Sequence, residues 1–206
     1  MATALFVLIA YLIGSLSFGV LVSRAFGLPN PRSYGSGNPG ATNVLRTGKR
    51  VAALLTLLGD GGKGWLAVFL AQRFAGGMGV EPAGVAGVAI AVFIGHLYPV
   101  FFGFHGGKGV ATAAGILLAV NPWLGLATLV SWIAIAAIFR LSSLAALIAA
   151  AFAPVYYVWL FGIDVMAAAV TAMSALLIWR HKDNIRRLLA GQEGRIGGTK
   201  TPRGQI

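Results

Sequence analysis

Residues 142–161 read SSLAALIAAAFAPVYYVWLF, twenty positions without a charged side chain. A helix needs about 20 predominantly apolar residues to cross the hydrocarbon core of a bilayer, and this stretch supplies them. Further apolar runs lie to either side, at roughly 2–23, 51–73, 83–102, 109–120, 122–139 and 164–179. Across the 206 residues, 58% are apolar and 10% charged, where a soluble domain would be about a quarter charged. The reading is all-α: a polytopic membrane protein of about seven transmembrane helices, with residues 1–206 forming one integral membrane domain. The run at 109–120 is short and is parted from the next only by Asn121-Pro122, a turn signal. A re-entrant hairpin therefore competes there with two full crossings.

Charge placement gives the orientation. With Met1 outside, Arg24, Arg32, Arg46, Lys49 and Arg50 fall in the first cytosolic loop, and Lys108 and Arg140 in the next two. Arg180, Lys182, Arg186, Arg187, Arg195, Lys200 and Arg203 then fall in a cytosolic tail. Fourteen of the sixteen basic residues are inside, Arg73 is outside and Lys63 lies within a span, which agrees with the positive-inside bias. The N-terminus is expected outside and the C-terminus in the cytosol. The first 23 residues carry no Lys or Arg, so they read as a retained helix and not as a signal peptide.

The net charge of +11 points to anionic partners. Nucleic acid fits poorly because the cations do not sit on a soluble domain, which leaves anionic lipid and phosphorylated substrates. No cysteine is present, so a thiolate metal site and a cysteine nucleophile are both excluded.

Three segments at the cytosolic side carry the chemistry. The first, 35–46, runs Gly35-Ser36-Gly37-Asn38-Pro39-Gly40-Ala41-Thr42-Asn43 and on to Arg46. Its glycines let the backbone turn tightly and expose N–H groups, which can form an anion-binding concavity. Ser36, Asn38, Thr42 and Asn43 add neutral hydrogen-bonding groups, and Arg46 adds a planar cation suited to phosphate. An ordinary polar loop uses the same residue types. The second segment, 95–112, contains Gly95-His96 and then Gly106-Gly107-Lys108-Gly109. Lys108 opens a helix whose free N–H groups would also favour an anion, although a lysine there serves equally as a positive-inside anchor. His96 lies in an apolar run and reads as a hydrogen-bonded packing residue. In the third, 180–193, His181 and Asn184 are three apart and share a helix face over an expected helix at 181–190, with Glu193 beyond. Arg186 and Arg187 read as lipid-headgroup anchors.

Asp60 and Lys63 stand apart because both lie inside the second span. A charge at a helix centre costs about 2.5–3.5 kcal/mol on insertion scales. Their spacing allows an internal pair, and charges at such depth face protein or a wet cleft, so function and structure both remain open for them. An organic-phosphate carrier would suit intramembrane charges, but most polar candidates gather at one face, whereas transporters bind near the midplane. Gly-Gly-Lys-Gly occurs both at 61–64 and at 106–109, which chance explains in a chain of 29 glycines.

Absences also discriminate. Five residues after His96, His105 and His181 stand Phe101, Val110 and Arg186, so no His-x-x-x-x-Asp acyltransferase motif occurs. The five acidic residues are scattered, unlike the clusters that hold Mg²⁺, and the three histidines are too dispersed for zinc. Neither a metal nor any other cofactor is expected.

Taken in order, Gly-Ser-Gly-Asn-Pro-Gly-Ala-Thr-Asn…Arg, then Gly-His…Pro…Gly-Gly-Lys-Gly, then His-x-x-Asn-Ile-x-Arg-Leu…Gly-x-Glu resemble the bacterial acyl-phosphate-dependent glycerol-3-phosphate acyltransferases, the PlsY family. The resemblance spans essentially the whole chain. It implies transfer of an acyl group from acyl phosphate to the 1-hydroxyl of sn-glycerol 3-phosphate, giving lysophosphatidate and phosphate in the bacterial inner membrane, with the active face cytosolic. A separate phosphate acyltransferase would supply the donor. Ser36, Arg46, Lys108, His181 and Asn184 are then the expected catalytic residues. Gly35, Gly37, Asn38, Gly40, Thr42, Asn43, Lys63, Gly106, Gly107 and Glu193 are the expected substrate-binding ones. Either His181 or a substrate phosphate would take the hydroxyl proton.

Overall fold

The computed structural model describes residues 1–74 and 76–196, and every regular element among them is a helix. Ten α-helices are described: α1 (Ala2–Gly14), α2 (Phe18–Ala25), α3 (Ala41–Val44), α4 (Arg50–Phe74), α5 (Pro82–Leu97), α6 (Val110–Val120), α7 (Pro122–Phe139), α8 (Ser142–Phe161), α9 (Val165–Arg180) and α10 (Lys182–Leu189). Short 3₁₀ turns cover Leu45–Thr47, Gly76–Met78 and Val100–Phe102. The expected tail cations Lys200 and Arg203 lie outside the described residues.

Four helices are long and apolar enough to cross a membrane alone: α4, α7, α8, and α5 carried on to Phe102. The first expected span, 2–23, is not one helix. It bends by 42° between α1 and α2, and the pair counts as a fifth span only when taken together. The break is held inside the protein: Ser15 Oγ donates to the Tyr11 carbonyl at 2.9 Å and Lys63 Nζ donates to the Leu16 carbonyl at 2.6 Å. Backbone groups released at membrane depth need such internal partners. The helix expected over 109–120 is α6, whose 11 residues reach only about 16 Å. α9, with 16 residues, reaches about 24 Å.

Local chemistry sets the helix ends. Asn121 accepts the N–H groups of Trp123 and Leu124 at 2.9 and 3.2 Å, so Asn-Pro both stops α6 and starts α7. Asp164 caps α9 by accepting the Ala167 N–H at 2.8 Å, and the Tyr157 hydroxyl donates to the same carboxylate at 2.9 Å. Close helix approach rests on missing side chains: a Cβ at Gly64 or Gly115 would press onto the backbone of the facing helix, joining α4 to α6. Phe93, Leu97, Ile116 and Leu124 fill the space between helices and are fully buried. Val130, Ile138 and Val155 face outward, as they can where lipid is the solvent.

Candidate active site

The three sequence segments meet at the end of the bundle where α4 and α6 begin and α9 ends. A cavity of about 830 Å³ opens there and runs down among α4, α6, α7, α8 and α9. Ser36, Thr42, Arg46, Lys108, His181 and Asn184 line its polar end, and Leu117, Ala150, Ala153, Val170 and Met173 its apolar part. A smaller polar recess of about 180 Å³ shares Ser36, Asn38 and Lys108 with it and adds Gly37, Gly106 and Arg180. Gly35, Gly40, Asn43 and Glu193 also line the larger space. Gly107 and Lys63 line neither.

The first segment is tied by Asn43. Its Oδ1 accepts the Ser36 N–H at 3.0 Å, and its Nδ2 donates to the carbonyls of Pro31 and Tyr34 at 2.7 and 3.2 Å. Asn43 is buried and its polar atoms serve the loop. Gly35 and Gly37 turn the chain through the left-handed region, with φ of +59° and +67°. A Cβ on Gly35 would press on Asn43 Oδ1. This leaves Ser36 and Arg46 exposed toward the cavity.

In the second segment the glycines fit the loop onto α5. The Gly106 and Gly107 N–H groups donate to the Leu97 and His96 carbonyls at 3.2 and 3.1 Å, so neither amide is free for a phosphate. Arg180 Nη2 lies 3.2 Å from the carbonyls of both glycines and donates to them, and its guanidinium stacks over the Tyr98 ring at 5.6 Å. Lys108 is thereby presented on a braced loop at the start of α6, and its ammonium donates to Asn184 Oδ1.

The third segment closes the circuit. Asn184 Nδ2 donates to Glu193 Oε1 at 2.6 Å, Ser143 Oγ donates to the same oxygen at 2.7 Å, and Arg187 Nε donates to Oε2 at 2.7 Å. Burial alone would raise the Glu193 carboxyl, but these donors outweigh it and hold the group below its ordinary value. Arg187 therefore turns toward Glu193 and away from a headgroup-anchor position. Arg186 stays exposed, 3.5 Å from Asp183. Burial, reinforced by the Arg187 charge, lowers Lys108 to about 8. Burial also pushes His181 down to about 4, against the bond from its Nδ1 to the Leu177 carbonyl at 2.8 Å. A carbonyl only accepts, so Nδ1 carries the proton of the neutral ring and Nε2 is left as an acceptor.

Comparison with known proteins gives the family. The family model described as glycerol-3-phosphate acyltransferase matches residues 4–191. The chain belongs to the glycerol-3-phosphate acyltransferase family. Relatives of that name include one from Ralstonia nicotianae, 67% identical over 98% of this chain and 97% of its own. Another, from Janthinobacterium sp., is 67% identical over 97% of this chain and 100% of its own. A crystal structure of PlsY, an integral membrane glycerol 3-phosphate acyltransferase, in its glycerol 3-phosphate form shares the fold with TM-score 0.89, 36% identity and 96% of each chain covered. Its lysophosphatidic acid form gives TM-score 0.87 at the same identity and coverage. The resemblance read from the motifs holds, and the chain is a multi-pass membrane protein.

Within this family frame, several site residues went unseen in the sequence. Arg180 counted there only as a tail cation, and its place directly before His181 was the available signal. Ser143 gave no signal, being one of two serines at the start of an apolar run. His96, read as a hydrogen-bonded packing residue, is buried but lines the larger cavity together with Asp60; its ring lies against Gly107, and its Nδ1 is 3.5 Å from Asp60 Oδ1. Asp60 in turn pairs with Lys63 at 2.9 Å, with side-chain exposures of only 3% and 2%. The internal pair allowed by their spacing is therefore formed.

Proposed function

We propose that the chain transfers an acyl group from acyl phosphate to the 1-hydroxyl of sn-glycerol 3-phosphate, releasing 1-acyl-glycerol 3-phosphate and phosphate. The observation that carries this is one cavity whose polar end gathers Arg46, Lys108, Ser36, His181 and Asn184 and whose other end is apolar. Two phosphate-bearing substrates need cations at one end, and an acyl chain needs an apolar space at the other.

The chemistry is direct. The glycerol hydroxyl oxygen attacks the acyl carbonyl, the carbon–oxygen bond to phosphate breaks, and the phosphate leaves with the bonding pair. Acyl phosphate is a mixed anhydride with a good leaving group, so no acyl-enzyme is required. Arg46 and Lys108 stabilise charge that grows on the leaving phosphate, and Ser36 and Asn184 position the substrates. His181 accepts the hydroxyl hydrogen bond at Nε2. A phosphate monoester, with a second pKa near 6, is a stronger base than His181 at about 4. The hydroxyl proton is therefore assigned to a substrate phosphate oxygen, and His181 orients the hydroxyl.

The supporting topology is one domain of seven crossings in the bacterial inner membrane, N-terminus outside, with the site on the cytosolic face where the positive-inside bias puts the basic loops. A phosphate acyltransferase supplies the donor. Because the chain has no cysteine, a single cysteine at Thr3 tests orientation: labelling by an impermeant reagent only from inside would overturn it. For the reaction, purified protein in lipid is given glycerol 3-phosphate with long-chain acyl phosphate, acyl-coenzyme A or acyl carrier protein thioester, without added metal. Lysophosphatidate should form with acyl phosphate alone; product from a thioester but not from acyl phosphate overturns the donor.

A further inference from the structure

The apolar part of the cavity has a floor, and three helices place it at one depth. On α8, lining residues run from Ser142 to Ala153, eleven residues or about 16 Å. Along α9 and the His181 that caps its end they run from His181 to Val170, eleven residues or about 16 Å. On α7 the deepest is Thr128, eleven residues or about 16 Å below the helix end at Phe139. One helical turn beyond Ala153 stands Tyr157, only 5% exposed, and one turn beyond Val170 stands Met166, at 8%. Neither lines the cavity. Tyr157 is fixed there, because its hydroxyl donates to Asp164, the carboxylate that also caps α9. The floor is thus anchored by two hydrogen bonds and does not depend on loose packing alone.

We infer that Ala153 and Val170 set the length of acyl chain that the enzyme seats fully, with the pinned Tyr157 as the stop. This rests on the proposed function. Extended backbone advances about 3.3–3.6 Å per three bonds, or roughly 1.2 Å per bond, so a depth of about 16 Å takes some 12–14 carbons of straight chain. Each buried methylene is worth about fourfold in binding. That gain accrues while carbons enter the slot and stops at the floor. The small side chain at Ala153 is what gives the last turn of depth: a large residue there moves the floor up by one turn, about 5 Å or roughly four carbons. Trimming Val170 moves it down.

The test is a series of acyl phosphates from 8 to 18 carbons, with kcat/KM measured for the whole protein in lipid and for Ala153→Phe and Val170→Ala. In the unaltered protein kcat/KM should climb with chain length and then break near about 14 carbons. Ala153→Phe should move the break shorter and lower the ratio of 16-carbon to 10-carbon turnover at least tenfold, while Val170→Ala raises that ratio. Opposite movement of the two variants is something that mere loosening of the fold would not give. A ratio unchanged in both, with the unaltered protein active, overturns the gauge and leaves the reaction standing. No product from any acyl phosphate overturns the reaction itself.

Discussion

Gly-Gly-Lys-Gly occurs twice in this chain, and the two copies have become different things. At 61–64 it sits within α4, where Lys63 is buried, paired with Asp60 at 2.9 Å and donating to the Leu16 carbonyl at 2.6 Å. At 106–109 it is a loop braced on α5, and Lys108 reaches the cavity to meet Asn184. The flanking glycines differ as well. Gly64 lets α6 approach α4, whereas Gly107 lets the His96 ring lie against the loop. The same four letters thus hold a bent span through a buried ion pair in one place and present a cation to the cavity in the other. What separates them is surroundings: a carboxylate three residues before Lys63 neutralises it, and nothing comparable precedes Lys108.

The largest expected effect breaks that ion pair. Lys63→Met leaves Asp60 buried without its cation, and removing one partner of a buried pair costs about 3–5 kcal/mol. Unfolding in detergent should show that loss, and adding Asp60→Asn should recover most of it. Activity per folded molecule should stay within a few-fold. A tenfold rise in KM for glycerol 3-phosphate without loss of stability would instead put Lys63 in the substrate site, and the contrast between the two lysines would collapse.

Lys108→Met should do the reverse. In the role proposed for Lys108, losing the charge that stabilises the transition state costs about 10²–10³ in rate, while the melting point barely moves because the side chain is only half-buried. The pH dependence sharpens the point. Lys108 is lowered from its ordinary value to about 8 by burial, so it is charged below that pH and loses its proton above it. Since kcat/KM reports the free enzyme, it should fall as pH rises through about 8. Lys108→Arg, which holds its proton, should be slower but flat across that range. An identical fall in the arginine variant would assign the titration to another group.

How much of this was legible beforehand follows the same division. Apolar runs gave the helices, because length and hydropathy are local properties. Ser36, Arg46, Lys108, His181 and Asn184 stood out as polar groups beside membrane spans, and all five line one cavity. The break after Gly14 was not legible, since what stabilises it is a lysine 47 positions away. Nor was the use of the Gly106 and Gly107 amides: glycine-rich pattern reads as a phosphate cradle, but whether an amide is free depends on which carbonyl faces it. Arg187 misled for a related reason. A basic residue near a membrane end looks like an anchor until Glu193, six residues on, folds back to it at 2.7 Å.

The smallest effects come from the glycines and test whether pattern or neighbour decides. A Cβ at Gly107 would press on His96 Nε2. Gly107→Ala should therefore cost about 1–3 kcal/mol, the usual range for overpacking, and displace Lys108, lowering kcat more than it raises KM. Gly62 occupies the same place in the other copy, yet nothing lies within 4 Å of its would-be Cβ. There alanine meets only the backbone preference of a helix and should add about 0.5–1 kcal/mol. Paired melting curves and rate constants for the two variants decide the matter. If both destabilise, the tetrapeptide itself carries a requirement that the packing does not account for; if only Gly107→Ala does, the second copy owes its glycines to His96 and the first owes Gly62 to nothing.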